Sequence, residues 1–509
     1  MRSLFASKYV LGALVILALG AQYGLASISH PVALAAGSPP RTPSRAPVTT
    51  AIRACPSPGG PGGSGVAIIA AASGTGQAGP ASPGTASPGT AVVSRLSAAG
   101  STTAGAPLIT LTRPGVLTRA TVRVATARSG LVPRGSQPTA GGNRLAGPSR
   151  GGVTVQANGS MARALAVEQT GSGGMPTALC DGPGTDFWFV GPGQYSVADM
   201  QLYLMNADGQ PADAEVDIFT DSGPLLASTD TGIAVPAHGL LVQSLAKLVH
   251  GSRVVGLHVR TIVGRIVAAL RESSSAGQPG AWLPVSQSPA KSLVIPGLPA
   301  SVGRRELYVA VPGLGNAQVK VTAVTAKGSY QPTGGSGIDL PGGSAAMLPL
   351  PSLGGIAAAI EITSSVPVTA AMLASGGPAG APGAFTAASA PIEEQGVIAD
   401  NLSGSGATAT LILSAPRGAA QVRITSPGSA RVVAIKAMHT AVVRLRAPRG
   451  SAARSHFAVV ITPLAGSGPV YAGRVLSERG TVQSIFPVPS SLTSVPLPLV
   501  RDTLATVLP

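Results

Sequence analysis

The chain has 509 residues and a formal net charge of +16, and Gly and Pro together make up about 22% of it, against roughly 12% in average proteins. Charged residues account for only 11% of the chain and aromatic residues for only 3%. This composition excludes a coiled coil and an ordinary helical bundle, because helix formers with i,i+4 charge pairs are too scarce. It also excludes a polytopic membrane protein, because only one apolar stretch is long enough to span a bilayer.

That stretch lies at the N-terminus. Arg2 and Lys8 precede an uncharged apolar run over residues 9–26, and small residues follow it. The pattern is typical of an export signal, and its length of about 18 residues is on the border between a cleaved signal and a retained anchor. We therefore expect residues 1–36 to be a signal peptide or a signal-anchor helix, and the remainder to be extracytoplasmic, either secreted or membrane-anchored.

Basic residues are concentrated towards both ends of the chain. Residues 1–167 contain 14 Lys and Arg with no Asp or Glu, and residues 401–509 contain 11 basic and 2 acidic residues. A basic surface can attract nucleic acid. An exported location, dispersed positive charges and the scarcity of base-stacking aromatics predict no nucleic acid here. Acidic wall polymers, anionic lipid headgroups or solvent alone fit these charges better.

The chain has two cysteines, Cys55 and Cys180. In an exported protein the expected arrangement is one disulfide, and the alternative is two unpaired thiols. Two cysteines do not make a Cys₄ zinc site, and no histidine lies close in sequence to either of them. We predict no metal and no cofactor.

Residues 37–105 are rich in Gly, Pro and Ser, which predicts a basic linker that buries too little apolar surface to fold alone. One apolar run within it, residues 66–70, is a candidate strand. Beyond residue 106, short β-branched runs alternate with Gly/Pro turns, which is typical of strands.

The rest of the chain contains an internal repeat of about 103 residues. A pair of predicted strands opens each copy: 200–205 with 214–219, 306–311 with 318–324, and 408–413 with 420–425.

Units of this length, with strands spaced at roughly 8–12 residues, are typical of antiparallel β-sandwiches. A β-solenoid or a propeller would need a shorter period. We predict an all-β chain of tandem, immunoglobulin-like sandwiches with the following boundaries: 106–285 with N-terminal extension strands, 286–385, 386–490, and a C-terminal tail at 491–509.

The largest aromatic concentration surrounds Trp188, between Asp186 and Val190. A core anchor is the first interpretation, because Trp and Phe bury well, and a platform for stacking a sugar is the second. Trp282 invites the same two interpretations. Trp188 and Trp282 are thus our candidate ligand-facing aromatics.

The sequence contains no convincing catalytic constellation. Asp213, Glu215 and Asp217 alternate along one strand and share a face, which is more typical of a solvated surface. A glycosidase would need two carboxylates, Asp199 included, facing each other across a cleft. His258 is expected to be a satisfied core or surface histidine, and we predict that the protein is not an enzyme.

Several segments resemble one known family. They include the run 180–191, the following residues 202–219, the Trp282-Leu-Pro segment, residues 294–299, and the pair Cys55-Pro56. Together they resemble an actinobacterial exported family of unknown function, catalogued as domain of unknown function number 5719. Ala207 departs from the Pro expected after Asn206, and Ala281 departs from the Asp expected before Trp282. The resemblance implies an envelope-associated, non-cytoplasmic protein with a Cys55–Cys180 pairing, and it supplies no catalytic residues.

These observations predict an exported, cell-envelope-associated structural or interaction protein, built as a β-sandwich scaffold, with cell-wall polysaccharide or envelope proteins as partners. The alternative is a glycan-binding accessory factor in cell-envelope assembly that uses Trp188 or Trp282. A third hypothesis is a carboxylate-based glycoside hydrolase.

Overall fold

The structure is a computed structural model. It describes residues 45–56, 64–70, 89–96, 107–113, 118–126, 144–147, 152–170, 176–193, 197, 199–225, 232–273, 280–300, 303–350, 353–375, 383–448, 450–451 and 455–497.

The chain divides into two compact units. One comprises residues 1–46 with 496–509, and the other comprises residues 47–495. The predicted signal or anchor segment, 1–36, lies outside the described residues. Within the described part of the chain, no helix combines the length and apolar character needed to cross a membrane.

The described chain is all-β, as predicted, and its strands form several sheets. Its one short helical element is a 3₁₀ turn at Gly159–Met161. Alternation of side chains explains why these segments form strands. In the strand Ala317–Thr325, Val319 and Val321 point into the core, while Gln318 and Lys320 point to solvent.

The N-terminal strands are β1 (Arg45–Pro47), β2 (Thr50–Cys55), β3 (Ser64–Ala70), β4 (Gly89–Leu96), β5 (Pro107–Arg113), β6 (Thr118–Thr126), β7 (Arg144–Gly147), β8 (Gly152–Asn158), β9 (Leu165–Thr170) and β10 (Pro176–Leu179). Two sheets form from them, in the orders β2-β8-β4-β5 and β10-β9-β3-β6-β7. Residues from both sheets, including Cys55, Val93, Val155 and Val167, share one core.

Strands β2, β3 and β4 lie inside the segment 37–105, which we expected to be mainly linker. They pair with β6, β8 and β9, which come later in the sequence. The segment therefore contains strands that pair with later parts of the chain, and it is not a linker throughout.

The first repeat, residues 186–283, contains β11 (Asp186–Pro192), β12 (Asp199–Met205), β13 (Ala212–Thr220), β14 (Gly223–Leu225), β15 (Ile233–Val235), β16 (Leu240–Ser244), β17 (Val254–Val263), β18 (Val267–Ser273) and β19 (Trp282–Leu283). The second repeat, residues 290–387, contains β20 (Ala290–Leu298), β21 (Arg305–Ala310), β22 (Ala317–Thr325), β23 (Gly328–Tyr330), β24 (Ile338–Leu340), β25 (Ala345–Pro349), β26 (Ala358–Ser375) and β27 (Gly383–Ala387). The third repeat, residues 395–487, contains β28 (Gln395–Ser403), β29 (Ala407–Ala415), β30 (Ala420–Ser426), β31 (Ser429–Ile435), β32 (His439–Leu445), β33 (Ser455–Pro463), β34 (Tyr471–Glu478) and β35 (Thr481–Pro487). After it come β36 (Ser490–Ser491) and β37 (Ser494–Pro496).

The three repeats share one antiparallel strand order. The first has β11-β17-β13-β14 in one sheet and β16-β12-β18-β19 in the other, and the third matches it with β28-β33-β30-β31 and β32-β29-β34-β35. In the second repeat, the 18-residue strand β26 takes the place of both β17 and β18. The strand pairs that the sequence places at the start of each repeat do not pair internally. β12 and β13 lie in different sheets, as do β29 and β30, whereas β21 and β22 each pair with β26.

A local hydrogen-bond pattern recurs in two repeats. The Thr220 hydroxyl donates to the Gly223 carbonyl at 2.9 Å, and the Thr325 hydroxyl donates to the Gly328 carbonyl at 2.8 Å. Both glycines have φ near +112°, which favours Gly. The third repeat replaces this turn with Ser426-Pro427-Gly428-Ser429.

The cores of the repeats are continuous with one another. Tyr308 and Phe385 of the second repeat belong to the core of the first. Between the second and third repeats, a Cβ added at Gly473 would lie 2.3 Å from the Gly297 Cα, so the two backbones touch. The repeats therefore pack against one another through shared apolar surface and are not independent domains.

The disulfide is present and joins Cys55 to Cys180, across 125 residues. Both cysteines are buried, and Cys55 is fully so. The backbone N–H of Ala54 donates to the Asp181 carbonyl at 2.9 Å, so the residues beside the disulfide also bond directly. The predicted pairing is confirmed, and it fastens β2 to the segment that leads into the first repeat.

Replacing both cysteines by Ala should lower the free energy of unfolding by about 4–5 kcal/mol, because the cross-link restricts a long loop of the unfolded chain. Urea unfolding of C55A/C180A measures this effect. Wild-type protein in reductant should match the variant. A loss below about 1 kcal/mol would contradict the prediction.

A buried ion pair connects the N-terminal sheets to the third repeat. Arg474 in β34 is 0% exposed and Glu168 in β9 is 1% exposed. Arg474 Nη2 donates to Glu168 Oε2 at 3.1 Å, and its Nη1 donates to the Asp400 carbonyl at 2.6 Å. Glu168 Oε1 accepts from the backbone N–H of Ala399 at 2.8 Å. Burial raises the pKa of Glu168, and the Arg474 charge opposes that rise.

Removing only one partner of this pair should be costly. We expect R474M to lower the free energy of unfolding by about 3–5 kcal/mol, because it leaves a buried carboxylate uncompensated. The double variant E168Q/R474M keeps the backbone acceptor without the charges and should recover part of the loss. R423M, at an exposed arginine of the same repeat, should change stability by less than about 0.5 kcal/mol in the same urea titration. Equal effects of R474M and R423M would refute this account.

Candidate functional site

A cavity of about 430 Å³ lies between the N-terminal sheets, the first and third repeats, and the short segments on either side of the second repeat. Its walls come from the segments 178–181, 282–288, 388–390 and 486–490. The lining is mainly apolar, with a few polar groups among Pro, Phe and Trp side chains. Concave sites of this kind are where small ligands usually bind.

Trp282 lines this cavity and is half-buried. Its ring lies 5.1 Å from the Tyr203 ring, and the Arg271 guanidinium lies 5.9 Å from its centroid. Arg271 is also its register partner across β18 and β19. These neighbours fix the indole while part of it stays accessible from the cavity.

Trp188 has a different environment and is only 6% exposed. The His258 ring stacks on it with centroids 3.8 Å apart and planes 7° apart. Its indole Nε1 donates to Asp186 Oδ1 at 3.0 Å, which satisfies its polar atom. Trp188 also belongs to the core of the first repeat. With one face covered by His258, it is placed as a core anchor rather than as an open stacking platform.

His258 lies between two carboxylates on the outer face of the first repeat. Its Nε2 is 2.7 Å from Asp186 Oδ1, and its Nδ1 is 3.2 Å from Asp217 Oδ2. The Ser288 hydroxyl donates to Asp186 Oδ2 at 2.7 Å. In a catalytic triad the serine must contact the histidine that takes its proton. Here the serine contacts the carboxylate, so the arrangement does not activate a nucleophile.

The predicted carboxylate candidates do not converge on a cleft. Glu215 forms an ion pair with Arg260, and Asp217 lies 3.6 Å from the same arginine. Asp199 lies in the opposite sheet, where it accepts from the Met200 backbone N–H at 2.8 Å and from Ser244. Among the residues that the structure describes, no group of three or more His, Cys, Asp or Glu side chains is arranged to hold a metal ion.

Comparison with known families gives one match. Residues 135–446 match a family of unknown function, DUF5719. The chain belongs to this family. The matched region covers more than half of the chain and includes Trp188, Trp282 and Glu168, but not Cys55 or Arg474. No curated protein and no solved structure matches the chain.

In this DUF5719 member, sequence reasoning missed Asp181 and Ser389, which both line the cavity. Burial raises the pKa of Asp181 to about 6, against the opposing charge of Arg53. Ser389 Oγ is buried and has no hydrogen-bond partner among the described residues. In the sequence, the position of Asp181 directly after Cys180 is the one feature that could have pointed to it. Nothing in the sequence around Ser389 distinguishes that residue.

Asp181 should make stability depend on pH. Its pKa rises from 3.8 to about 6 on folding, so between these values the folded state binds more protons than the unfolded state. The free energy of unfolding should therefore fall as pH rises from about 4 to about 6. D181N should lack this component, whereas D339N, at an exposed aspartate, should keep it. Urea titrations across this range test the sign, and a wild-type-minus-D181N difference that is flat or rises with pH would contradict it.

Proposed function

We propose that this protein is an exported, cell-envelope-associated structural or interaction protein, a scaffold of tandem, immunoglobulin-like β-sandwiches. In the first and third repeats two antiparallel sheets contribute to one core, and in the second repeat one continuous sheet carries both sets of strands through β26, which supports the sandwich interpretation. The disulfide favours an oxidising, extracytoplasmic compartment. Its partners would be envelope proteins or cell-wall polysaccharide.

The observation that carries this proposal is that covalent, ionic and apolar contacts hold the N-terminal sheets and the three repeats together. The disulfide ties the N-terminal sheets to the segment before the first repeat, and the Glu168–Arg474 pair ties them to the third. Continuous cores join the repeats to one another. Domains fixed at both ends of an array present their surfaces in constant relative positions, which is what a scaffold requires.

We also propose that the protein is not an enzyme. The candidate carboxylates Glu215 and Asp217 are engaged by Arg260 and His258, and Asp199 belongs to the other sheet. A retaining or inverting glycosidase needs two carboxyl groups on either side of one scissile bond. Asp181 is the single carboxyl group among the described residues that line the central cavity.

The second candidate function is glycan binding in cell-envelope assembly, and Trp282 favours it. Its half-buried indole shares the cavity with Gln287 and with the unpartnered hydroxyl of Ser389. An aromatic face beside polar side chains suits a sugar ring, which has both apolar and hydroxyl surfaces.

Co-sedimentation of the full chain with purified cell-wall material, at low and high salt, separates the two candidates. Binding that survives high salt and is reduced at least about fivefold by W282A supports the glycan site. Y330A, at an aromatic residue exposed elsewhere, should not reduce it. Binding that disappears with salt would leave only the attraction of basic residues, and would favour a scaffold for protein partners.

Hydrolysis of the wall material would oppose the scaffold proposal. Release of soluble sugars by wild-type protein, abolished by E215Q or D217N, would identify an enzyme instead.

Location is tested separately: protease added to intact spheroplasts should digest the protein, and complete protection of a chain that is digested after lysis would contradict export.

A further inference from the structure

The third repeat carries an arginine-rimmed cleft at one side. Strand β31 is the edge of one sheet and β32 is the edge of the other, and they do not pair with each other. Between them opens a cleft of about 970 Å³. Arg431, Arg444 and Arg446 lie among its lining residues, and all three are exposed.

The floor of this cleft is the apolar core of the repeat. Ile424, Val443, Leu445, Phe457 and Val459 line it, and all five are core residues. The two sheets are not paired at this edge, and these five side chains are at most 5% exposed, so an alkyl chain reaches them only by entering between β31 and β32. Of the described residues that line the cleft, none is acidic.

A polar hollow of about 390 Å³ adjoins the apolar floor. It shares Arg444 and Arg446 with the cleft and adds Ser403, Thr408 and Ser451. The site thus has two parts, one apolar and one with hydroxyls and guanidinium groups. This division matches a ligand that has an apolar chain and an anionic head.

Arg431 spans the mouth of the cleft. Its register partner in β30 is Ile424, a core residue, so Arg431 lies on the inner side of the edge strand. Its Nη2 donates to the Arg444 carbonyl at 3.1 Å, from one sheet edge to the other. A guanidinium has five N–H groups, so this contact leaves donors for an anion.

The other two repeats show that the fold does not require these arginines. Their corresponding edge strands, β14, β15 and β16 in the first repeat and β23, β24 and β25 in the second, contain no Lys or Arg. Among these edge strands, arginine therefore occurs in the third repeat alone.

We propose that this cleft binds a single-chain anionic amphiphile. The alkyl chain lies on the floor formed by Ile424, Val443 and Phe457, and a carboxylate or phosphate head lies among Arg431, Arg444 and Arg446. Burial of the chain supplies affinity in proportion to its apolar area, and the guanidinium groups select the charge of the head.

Calorimetric titration of the full chain with dodecyl phosphate, below its micelle concentration, tests the site. Dodecyl phosphate should bind at least about tenfold more tightly than inorganic phosphate or dodecyltrimethylammonium, because neither of these has both the chain and the negative head. Equal binding of inorganic phosphate would indicate an anion site only, and equal binding of the cation would indicate unspecific apolar binding. Either result overturns the proposal.

Variants locate the site. R431Q/R444Q should weaken binding of dodecyl phosphate about tenfold or more, whereas R423Q/R479Q should leave it within about twofold, because those exposed arginines do not line the cleft. S429W should block the mouth, and S222W, in the corresponding turn of the first repeat, should not. All four variants keep the N-terminal apolar run. Any binding of alkyl chains to that run is therefore the same in each variant and does not affect the comparison between them. Unchanged binding by both R431Q/R444Q and S429W would overturn the proposal and leave the arginines as protection of the edges against strand pairing.

Discussion

The buried pair of Glu168 and Arg474 sets the arrangement of everything around the central cavity. Both side chains lie out of water, and such charges are tolerated only when pairing and hydrogen bonds compensate the loss of hydration. The hydrogen bonds that compensate this pair form when β9 lies against the backbone at Ala399 and Asp400. Ala178, Leu179 and Asp181, which follow β9 in the chain, line the cavity together with Trp282.

Sequence reasoning succeeded where the signal was local. Alternating β-branched runs and a regular spacing of Gly and Pro define strands without knowledge of their partners, so the all-β class was predictable. It failed where partners are remote. Strand β2 needs β8 about a hundred residues later, and β12 crosses to a different sheet from β13 although only a short turn separates them. Nothing in either segment reveals such pairings.

Trp188 and Trp282 show the same contrast between local sequence patterns and remote contacts. Both were candidates on residue type alone, and both lie in strands of the first repeat. One is covered by His258 and bonded to Asp186, while the other borders a cavity. The difference comes from register with neighbouring strands and from residues some two hundred positions away. Differences among the repeats, by contrast, are visible in the sequence, and the arginines of the third repeat are an example.

The distance along the chain between Glu168 and Arg474 has a consequence for the timing of folding. Arg474 is made 306 residues after Glu168. At a synthesis rate of about 5–20 residues per second, this takes roughly 15–60 s. Until then β9 has no counterion for its carboxylate, and the residues that cover the apolar patch around Ala164, at 397–399 and 458–460, also come late in the chain. The first part of the chain to be made is therefore among the last to reach its final surroundings, and a chaperone would meet it in that interval.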